Sequence, residues 1–394
     1  MVENSLQYVF LKTFMKKILY VGYYDDETNK KENRNYVLAA TNKMRYIAKK
    51  LSKEYEVEIV SASQTLNKAY YKGRKKDIEE NVVLQLFSTL PFGNKVQRIL
   101  ARAFLKMQLF VYLLLMINKD SKVLVYHSLA YMNLIKLLHR LKKFELILEI
   151  EEIYGDVLED EKTVRKEEKF FADANKFIFP TELLNERINS SNKPYKIIYG
   201  TYEVEQDQGD AFKDDKIHVV YAGTFDVRKG GAMAAVLASQ YLDENYHVHI
   251  LGFGNQDDTQ KIIKSIEEMD AVSDAKITYE GLIAGVEYIK FIQKCQIGLS
   301  TQNPEGNFNN TSFPSKILSY MANGLRVVSI KIPVIERAKI GKYIYYYEKQ
   351  DPINIANAIK GITLDDKYDG RKIVGKLDLD FGENICKFVE KSIV

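Results

Sequence analysis

Cys295–Ile330, CQIGLSTQNPEGNFNNTSFPSKILSYMANGLRVVSI, decides how the rest of the chain is read. Its opening apolar run, Ile297 to Ser300, is bounded by turn residues and predicts a buried strand. A loop dense in Asn, Gly, Ser and Thr follows. After it come a predicted helix from about Phe313 to Asn323, stopped by Gly324, and a second strand, Leu325 to Ile330. At helical spacing Phe313, Ile317, Leu318 and Met321 share an apolar arc, while Ser312, Ser315, Lys316, Ser319 and Asn323 gather on the other side. That polar side carries one cation and no carboxylate. Pro314 and Ser315 mark a helix start, where converging N–H groups and the helix dipole favour an anion. A phosphate or diphosphate suits such a place, although any parallel α/β unit shares this outline and a first-turn lysine is ordinarily just solvated.

The run FPSKILSYMANGLRVVS resembles the donor-binding segment of family-4 glycosyltransferases, retaining enzymes of the polysaccharide-biosynthesis type. The resemblance implies an α/β fold of two facing Rossmann-like domains with parallel sheets, the GT-B architecture. It also implies that this helix holds the nucleotide-diphosphate half of a sugar donor. Two glutamates that many members carry in this segment fall at Thr311 and Ser319, so the usual ribose contact of the second is replaced here.

The second half restarts a strand–helix rhythm at Ile217 to Ala222. Gly223-Thr224-Phe225-Asp226-Val227-Arg228-Lys229-Gly230-Gly231 follows, then a predicted helix through Tyr241. A glycine turn, two cations and two more glycines before a helix make a phosphate cradle. The spacing is neither the dinucleotide fingerprint nor a Walker loop. It resembles the donor-phosphate loop of the same family. Lys229 matches that family's diphosphate lysine and Thr224 stands at its arginine position, so the second cation is either missing or supplied by Arg228 or Lys316. By the same resemblance Gly252 and Gly254, which follow the strand His247 to Leu251, and Leu282, after Glu280-Gly281, line the nucleotide side.

The first half opens with a strand, Lys17 to Gly22, and a long polar loop, Tyr23 to Asn35. Gln64 to Ile78 is basic and poorly patterned. Met107 to Asn118 is the most apolar stretch, too short for a bilayer span, and reads as a buried helix with an interfacial helix as the alternative. The strand Lys122 to Tyr126 delivers His127 at its carboxyl end, where open α/β sheets bind ligands. A histidine there is ordinarily structural, but the resemblance gives His127 a contact to the donor sugar. His139, His218, His247 and His249 fall inside helices or strands and are expected to be structural. Phe144 to Ile150 leads into Glu151 and Glu152, which either act on an acceptor hydroxyl or simply begin an acidic helix, Asp156 to Asn175. Thr201 to Asp215 is polar and acidic and reads as a linker. The expected division is therefore 1–204, an acceptor-side domain; 205–375, a donor domain; and 376–394, a helix returning to the first.

The chain has 394 residues, 46% apolar and 28% charged, enough for two ordinary cores. Its two cysteines, Cys295 and Cys386, have no metal-ligand spacing, so no disulfide framework and no metal site are expected. Residues 1–14 carry no clear signal peptide and read as a ragged leader or a start-site artefact. Residues 1–200 carry 34 Lys and Arg against 25 Asp and Glu, net +9, and the remainder is net −5, within a whole-chain +4. A basic front half suits an anionic membrane face or a phosphate-bearing acceptor, and no nucleic-acid module accompanies it.

Together these readings predict a cytoplasmic glycosyltransferase, peripheral on the inner membrane face, without cofactor or metal. It would move a sugar from a nucleotide-sugar to a glycan or lipid-linked acceptor, with His127, Lys229 and Lys316 as catalytic residues. A nucleotide-sugar epimerase using Glu151 and Glu152, and a non-catalytic sugar-nucleotide-binding subunit, are the alternatives.

Overall fold

The computed structural model describes residues 15–226, 230–306, 309, 311–364 and 367–391. The chain forms two compact units. The first comprises Met1–Pro180, Asn185–Thr201 and Phe381–Val394, and the second Thr181–Leu184 and Tyr202–Asp380.

The first unit is built on eight strands: β1 (Lys16–Gly22), β2 (Tyr55–Ser61), β3 (Arg74–Glu79), β4 (Val82–Leu86), β5 (Lys122–Tyr126), β6 (Glu145–Glu149), β7 (Lys176–Phe179) and β8 (Tyr195–Ile197). They lie in the order β3-β4-β2-β1-β5-β6-β7-β8. All pairs are parallel except β3 with β4. β1, β5 and β6 are near-continuous apolar runs because both faces of a parallel sheet are covered. From β1 the chain winds outward through β2 and β4, then crosses to β5 on the other side, so its winding reverses between β1 and β5.

Two stretches differ from the sequence reading. Gln64 to Ile78 contains an edge strand, β3, whose sequence RKKDIE has no apolar alternation because neither face is well covered. The apolar stretch belongs to a longer helix, Lys95–Met116, begun by an Asn94–Gln97 capping box. It is not a buried helix. Ala101, Leu105, Leu109 and Leu113 face the core, while Val96, Leu100, Met107, Val111 and Leu115 are exposed.

The segment from Phe381 completes the first unit. Phe381 stacks on Tyr46 with ring centroids 5.7 Å apart. Lys176, fully buried in β7, donates to the carbonyls of Phe388 at 2.8 Å and Val389 at 3.0 Å and pairs with Glu145 at 2.6 Å. These residues belong to one helix, Gly370–Glu390, which starts six residues before the expected boundary at residue 376.

The second unit carries β9 (Ile217–Thr224), β10 (Tyr246–Phe253), β11 (Lys276–Gly281), β12 (Ile297–Ser300), β13 (Arg326–Ile330) and β14 (Tyr345–Tyr347) in the order β11-β10-β9-β12-β13-β14. All five pairings are parallel. The chain winds from β9 through β10 to β11, then returns to the other side of β9 as β12. This reversal is a topological switch point, and the crevice outside the carboxyl ends of its two strands is where open α/β sheets take ligands.

Candidate functional site

The β9–β12 switch point collects most of the glycine-rich positions. Gly223 and Thr224 end β9, and Thr301 follows β12 directly. The Thr301 hydroxyl donates to the carbonyl of Gly231 at 2.7 Å. That bond ties the loop after β12 to the first residue of the helix Gly231–Ala238. Gly231 is required there, because a Cβ would collide with the Thr301 carbonyl. Gly252, at φ +139°, packs its α-carbon onto the Gly223 carbonyl so closely that no side chain fits.

Lys316 lies against this glycine floor. A Cβ on Gly223 would stand 2.5 Å from its Nζ, and the ammonium sits 3.8 Å from the centre of the Tyr221 ring. Tyr221 is the buried platform of the site. Its hydroxyl donates to the Thr224 carbonyl at 3.3 Å, and burial pushes that hydroxyl's pKa up. Lys316 occupies the first turn of the helix Ser315–Ala322, whose N-cap, Pro314, makes no side-chain cap hydrogen bond. A cation and an uncapped helix start therefore meet beside the carboxyl end of β9. Further out, Thr224, Phe225, Phe253 and Gly254 line a cavity of about 560 Å³.

The remaining sequence-derived positions disperse. Ser315 is exposed and Ser312 half-buried. Ser319 shares a hydrogen bond with Tyr288, and Leu282 is exposed beyond the end of β11. Arg228 and Lys229 lie outside the described residues, as do residues 1–14. Tyr221 and Thr301 escaped the sequence reading. Tyr221 looks like one more apolar strand residue in HVVYAG, and Thr301 is the first residue past its strand.

In the first unit, His127 is 1% exposed. Its Nε2 lies 2.7 Å from Glu167 Oε1, and the ring packs against Phe171 and Tyr154. Glu167 also accepts the backbone N–H groups of Tyr154 at 2.9 Å and Gly155 at 2.7 Å. The histidine thus stands at a strand end with Nε2 bound to Glu167, while its buried Nδ1 has no hydrogen-bond partner among the described residues. Glu151 pairs with Lys43 at 2.5 Å, and Lys43 donates as well to the Ile198 carbonyl at 2.9 Å. Glu152 is half-buried.

A third carboxylate, unseen from sequence, lies behind them. Glu149 is fully buried at the end of β6, accepts the Tyr20 hydroxyl, and has no hydrogen-bond partner at its other oxygen among the described residues. Burial first, and then the Glu151 charge, raise its pKa well above the usual carboxylate range. A carboxyl whose folded pKa is raised loses stability as pH climbs from its unfolded value towards its folded one. Glu149→Gln is therefore expected to flatten the decline of melting temperature between about pH 5 and pH 8, gaining about 1 kcal/mol or more at the upper end. Parallel melting curves for the two proteins across that range would show that Glu149 carries no such cost.

The β1–β5 switch point opens a cavity of about 440 Å³ lined by Tyr23, Tyr131, Arg102, Lys106 and Leu105 among others. Tyr23 and Tyr131 stand 5.7 Å apart, ring centre to ring centre. Arg102 and Lys106 come from the Lys95–Met116 helix. Two aromatic faces beside two cations suit a sugar carrying negative charge.

No protein-family model and no curated protein sequence matches the chain. Solved structures do. The chain has the GT-B fold of two Rossmann-like domains, and the structures it resembles are glycosyltransferases. Trehalose-6-phosphate synthase OtsA is similar over 96% of this chain and 100% of its own, at 10% identity and a TM-score of 0.69. The E. coli trehalose-6-phosphate enzyme bound with UDP-2-fluoro glucose covers 95% of this chain and 97% of its own, at 9% identity and a TM-score of 0.67. Anabaena HepE in complex with UDP and glucose covers 96% and 100%, at 13% identity and a TM-score of 0.64.

Proposed function

We propose that the chain is a retaining glycosyltransferase that moves a sugar from a nucleotide-diphosphate donor to a hydroxyl of a surface polysaccharide or lipid-linked glycan. The observation that carries this is Lys316, set against Gly223 at the second unit's switch point under an uncapped helix start. As the glycosidic bond breaks, negative charge develops on the leaving diphosphate, and fixed cations and N–H groups lower the barrier most when aimed at that charge. The E. coli structure bound with UDP-2-fluoro glucose and the HepE complex with UDP and glucose support a uridine-diphosphate donor. Assignment to family 4, of the polysaccharide-assembly type, rests on the motif FPSKILSYMANG. The reading assigns no cofactor or metal to the reaction, since side-chain and backbone groups supply the positive charge. Lys229 is assigned with Lys316 to the diphosphate, and Glu151 and Glu152 to the acceptor side; His127, 1% exposed, is not assigned to a substrate.

A panel of radiolabelled nucleotide-sugars, with and without a crude glycan acceptor, tests the proposal. Labelled glycan with release of nucleoside diphosphate is the expected result. Conversion of the donor sugar would instead mean an epimerase, and binding without turnover an accessory subunit.

The acceptor reading adds a membrane. The helix Lys95–Met116 is long and apolar enough to cross one, yet it is anchored in the first unit. Gln108 accepts the Ser88 N–H at 3.2 Å and donates to its carbonyl at 2.8 Å, and Tyr112 hydrogen-bonds Glu58. Its exposed stripe of Val96, Leu100, Met107, Val111 and Leu115 lies on the face opposite Arg98, Arg102 and Lys106, with no acidic residue in the helix. That is the composition of a helix lying in a bilayer interface on the cytoplasmic face. Flotation is expected to favour anionic over neutral vesicles at low salt, with Leu100→Asp plus Leu115→Asp reducing recovery about tenfold. Equal recovery on both vesicle types would remove the membrane from the proposal.

A further inference from the structure

The second unit holds a cluster of histidines that donor binding does not use. His218 on β9 pairs in register with His247 on β10, and His249 follows two residues later, so all three side chains project from one face of the sheet. None is more than 8% exposed. One ring nitrogen from each lies within 4.8 Å of those of the other two. They occupy the amino-terminal halves of their strands. His218 is five residues before Gly223 and His249 three before Gly252, which puts the cluster roughly 10–16 Å from the glycine floor.

Each ring is oriented by an oxygen. Asp214 Oδ1 lies 2.7 Å from His218 Nε2, Glu280 Oε1 lies 2.8 Å from His249 Nδ1, and Thr278 Oγ1 lies 2.9 Å from His247 Nε2. The Thr278 hydroxyl in turn donates to Glu280 at 2.5 Å. Phe212 covers the cluster, its ring centre 4.0 Å from that of His218 and 5.0 Å from that of His249. The same ring meets Phe291 edge-on at 5.8 Å and lies under the Lys294 ammonium at 5.9 Å.

His218 Nδ1 and His249 Nε2 face each other 2.9 Å apart, an approach that either a shared proton or a bound cation satisfies. Buried imidazoles that each hold one nitrogen against a carboxylate or hydroxyl oxygen, with one nitrogen of each within 4.8 Å of the other two, have the spacing of metal-ligating histidines and the partners that orient them.

We propose that His218, His247 and His249 form a buried structural site for a divalent cation of the zinc class, oriented by Asp214, Glu280 and Thr278. Three imidazoles select a borderline transition-metal ion over calcium or magnesium. At zinc–nitrogen distances of about 2.0–2.1 Å, tetrahedral geometry separates two ligand nitrogens by roughly 3.3 Å, so His218 and His249 need open by about half an ångström. The ion would clamp β9 to β10 and pin the segment carrying Phe212 and Asp214 over the sheet. It takes no part in sugar transfer, and the inference stands independently of the proposed activity.

The test uses the full chain, stripped with a chelator and exchanged into metal-free buffer, then titrated with zinc chloride. About one equivalent is expected to bind, and zinc at about 100-fold over its dissociation constant should raise the melting temperature by about 5 °C or more. Cobalt(II) in place of zinc should give the intense visible bands of a tetrahedral site. Asp214→Asn alters a half-exposed side chain (46%) and leaves the core intact, so that variant should fold and bind zinc about 10- to 100-fold more weakly. His249→Asn should abolish uptake. The proposal is overturned if the stripped protein takes up no zinc, if the cobalt form lacks those bands, or if Asp214→Asn binds zinc as tightly as the parent.

Discussion

Lys316→Ala is expected to lower kcat/KM for the sugar donor by about 10- to 100-fold or more, with much of the loss in kcat. A charge-assisted bond to a diphosphate is worth about 1.5–3 kcal/mol, and a cation that acts on the departing charge contributes more in the transition state than in the ground state. The folded protein should lose little, because Lys316 is half-exposed and its contact with the Tyr221 ring is worth about 1 kcal/mol or less. Donor kinetics and a melting curve on the same preparation separate the two effects. Undiminished turnover with intact nucleoside-diphosphate binding would make the helix Ser315–Ala322 scaffold and nothing more.

Two alanine substitutions a few ångströms apart should behave in opposite ways. At Gly252 the new Cβ would run into the Gly223 carbonyl, at a backbone φ of +139° that side chains avoid. Nothing there can move without shifting a central strand. Gly252→Ala should therefore cost about 2–4 kcal/mol and lower the melting temperature on the order of 10 °C. At Gly223 the new Cβ meets the far end of the Lys316 side chain, 2.5 Å from Nζ and 2.6 Å from Cε. A lysine tip swings aside at little expense. Gly223→Ala should keep its melting temperature within a few degrees yet weaken donor binding by about tenfold, since the displaced ammonium no longer faces the diphosphate. The reverse pattern, a stable Gly252→Ala or an unfolded Gly223→Ala, would contradict the packing described.

The strands were legible wherever burial on both faces made the sequence continuously apolar. Lys122–Tyr126 and Ile297–Ser300 have the bounds that their apolar runs suggest, because no solvent-facing residue interrupts them. β3 was illegible for the opposite reason, as an edge strand of RKKDIE presents charge on both faces. The stretch from Met107 to Met116 misled because an apolar residue at nearly every position cannot say which side is covered. Around the candidate site, the glycines and Lys316 were readable from local spacing. Tyr221 and Glu149 were not, since each sits inside a strand where only the neighbouring strand reveals its role. The pairing of Asp214 with His218 joins a residue of the unpatterned linker to a strand, and no periodicity reports such a contact.

The attachment of Phe388 and Val389 to Lys176 bears on how the protein is made. Synthesis runs from the amino terminus, and domains generally fold as they emerge. Here the unit translated first is the one finished last. Until the segment from Phe381 has left the ribosome, the ammonium in β7 lacks two of the oxygens that stabilise it in the interior. The second unit, whose strands are complete by Tyr347, meets no such delay. A nascent or truncated chain ending before Phe388 would carry a finished second half attached to a first half with an underprotected charge at its core. Such chains are the ones that quality-control proteases would find first.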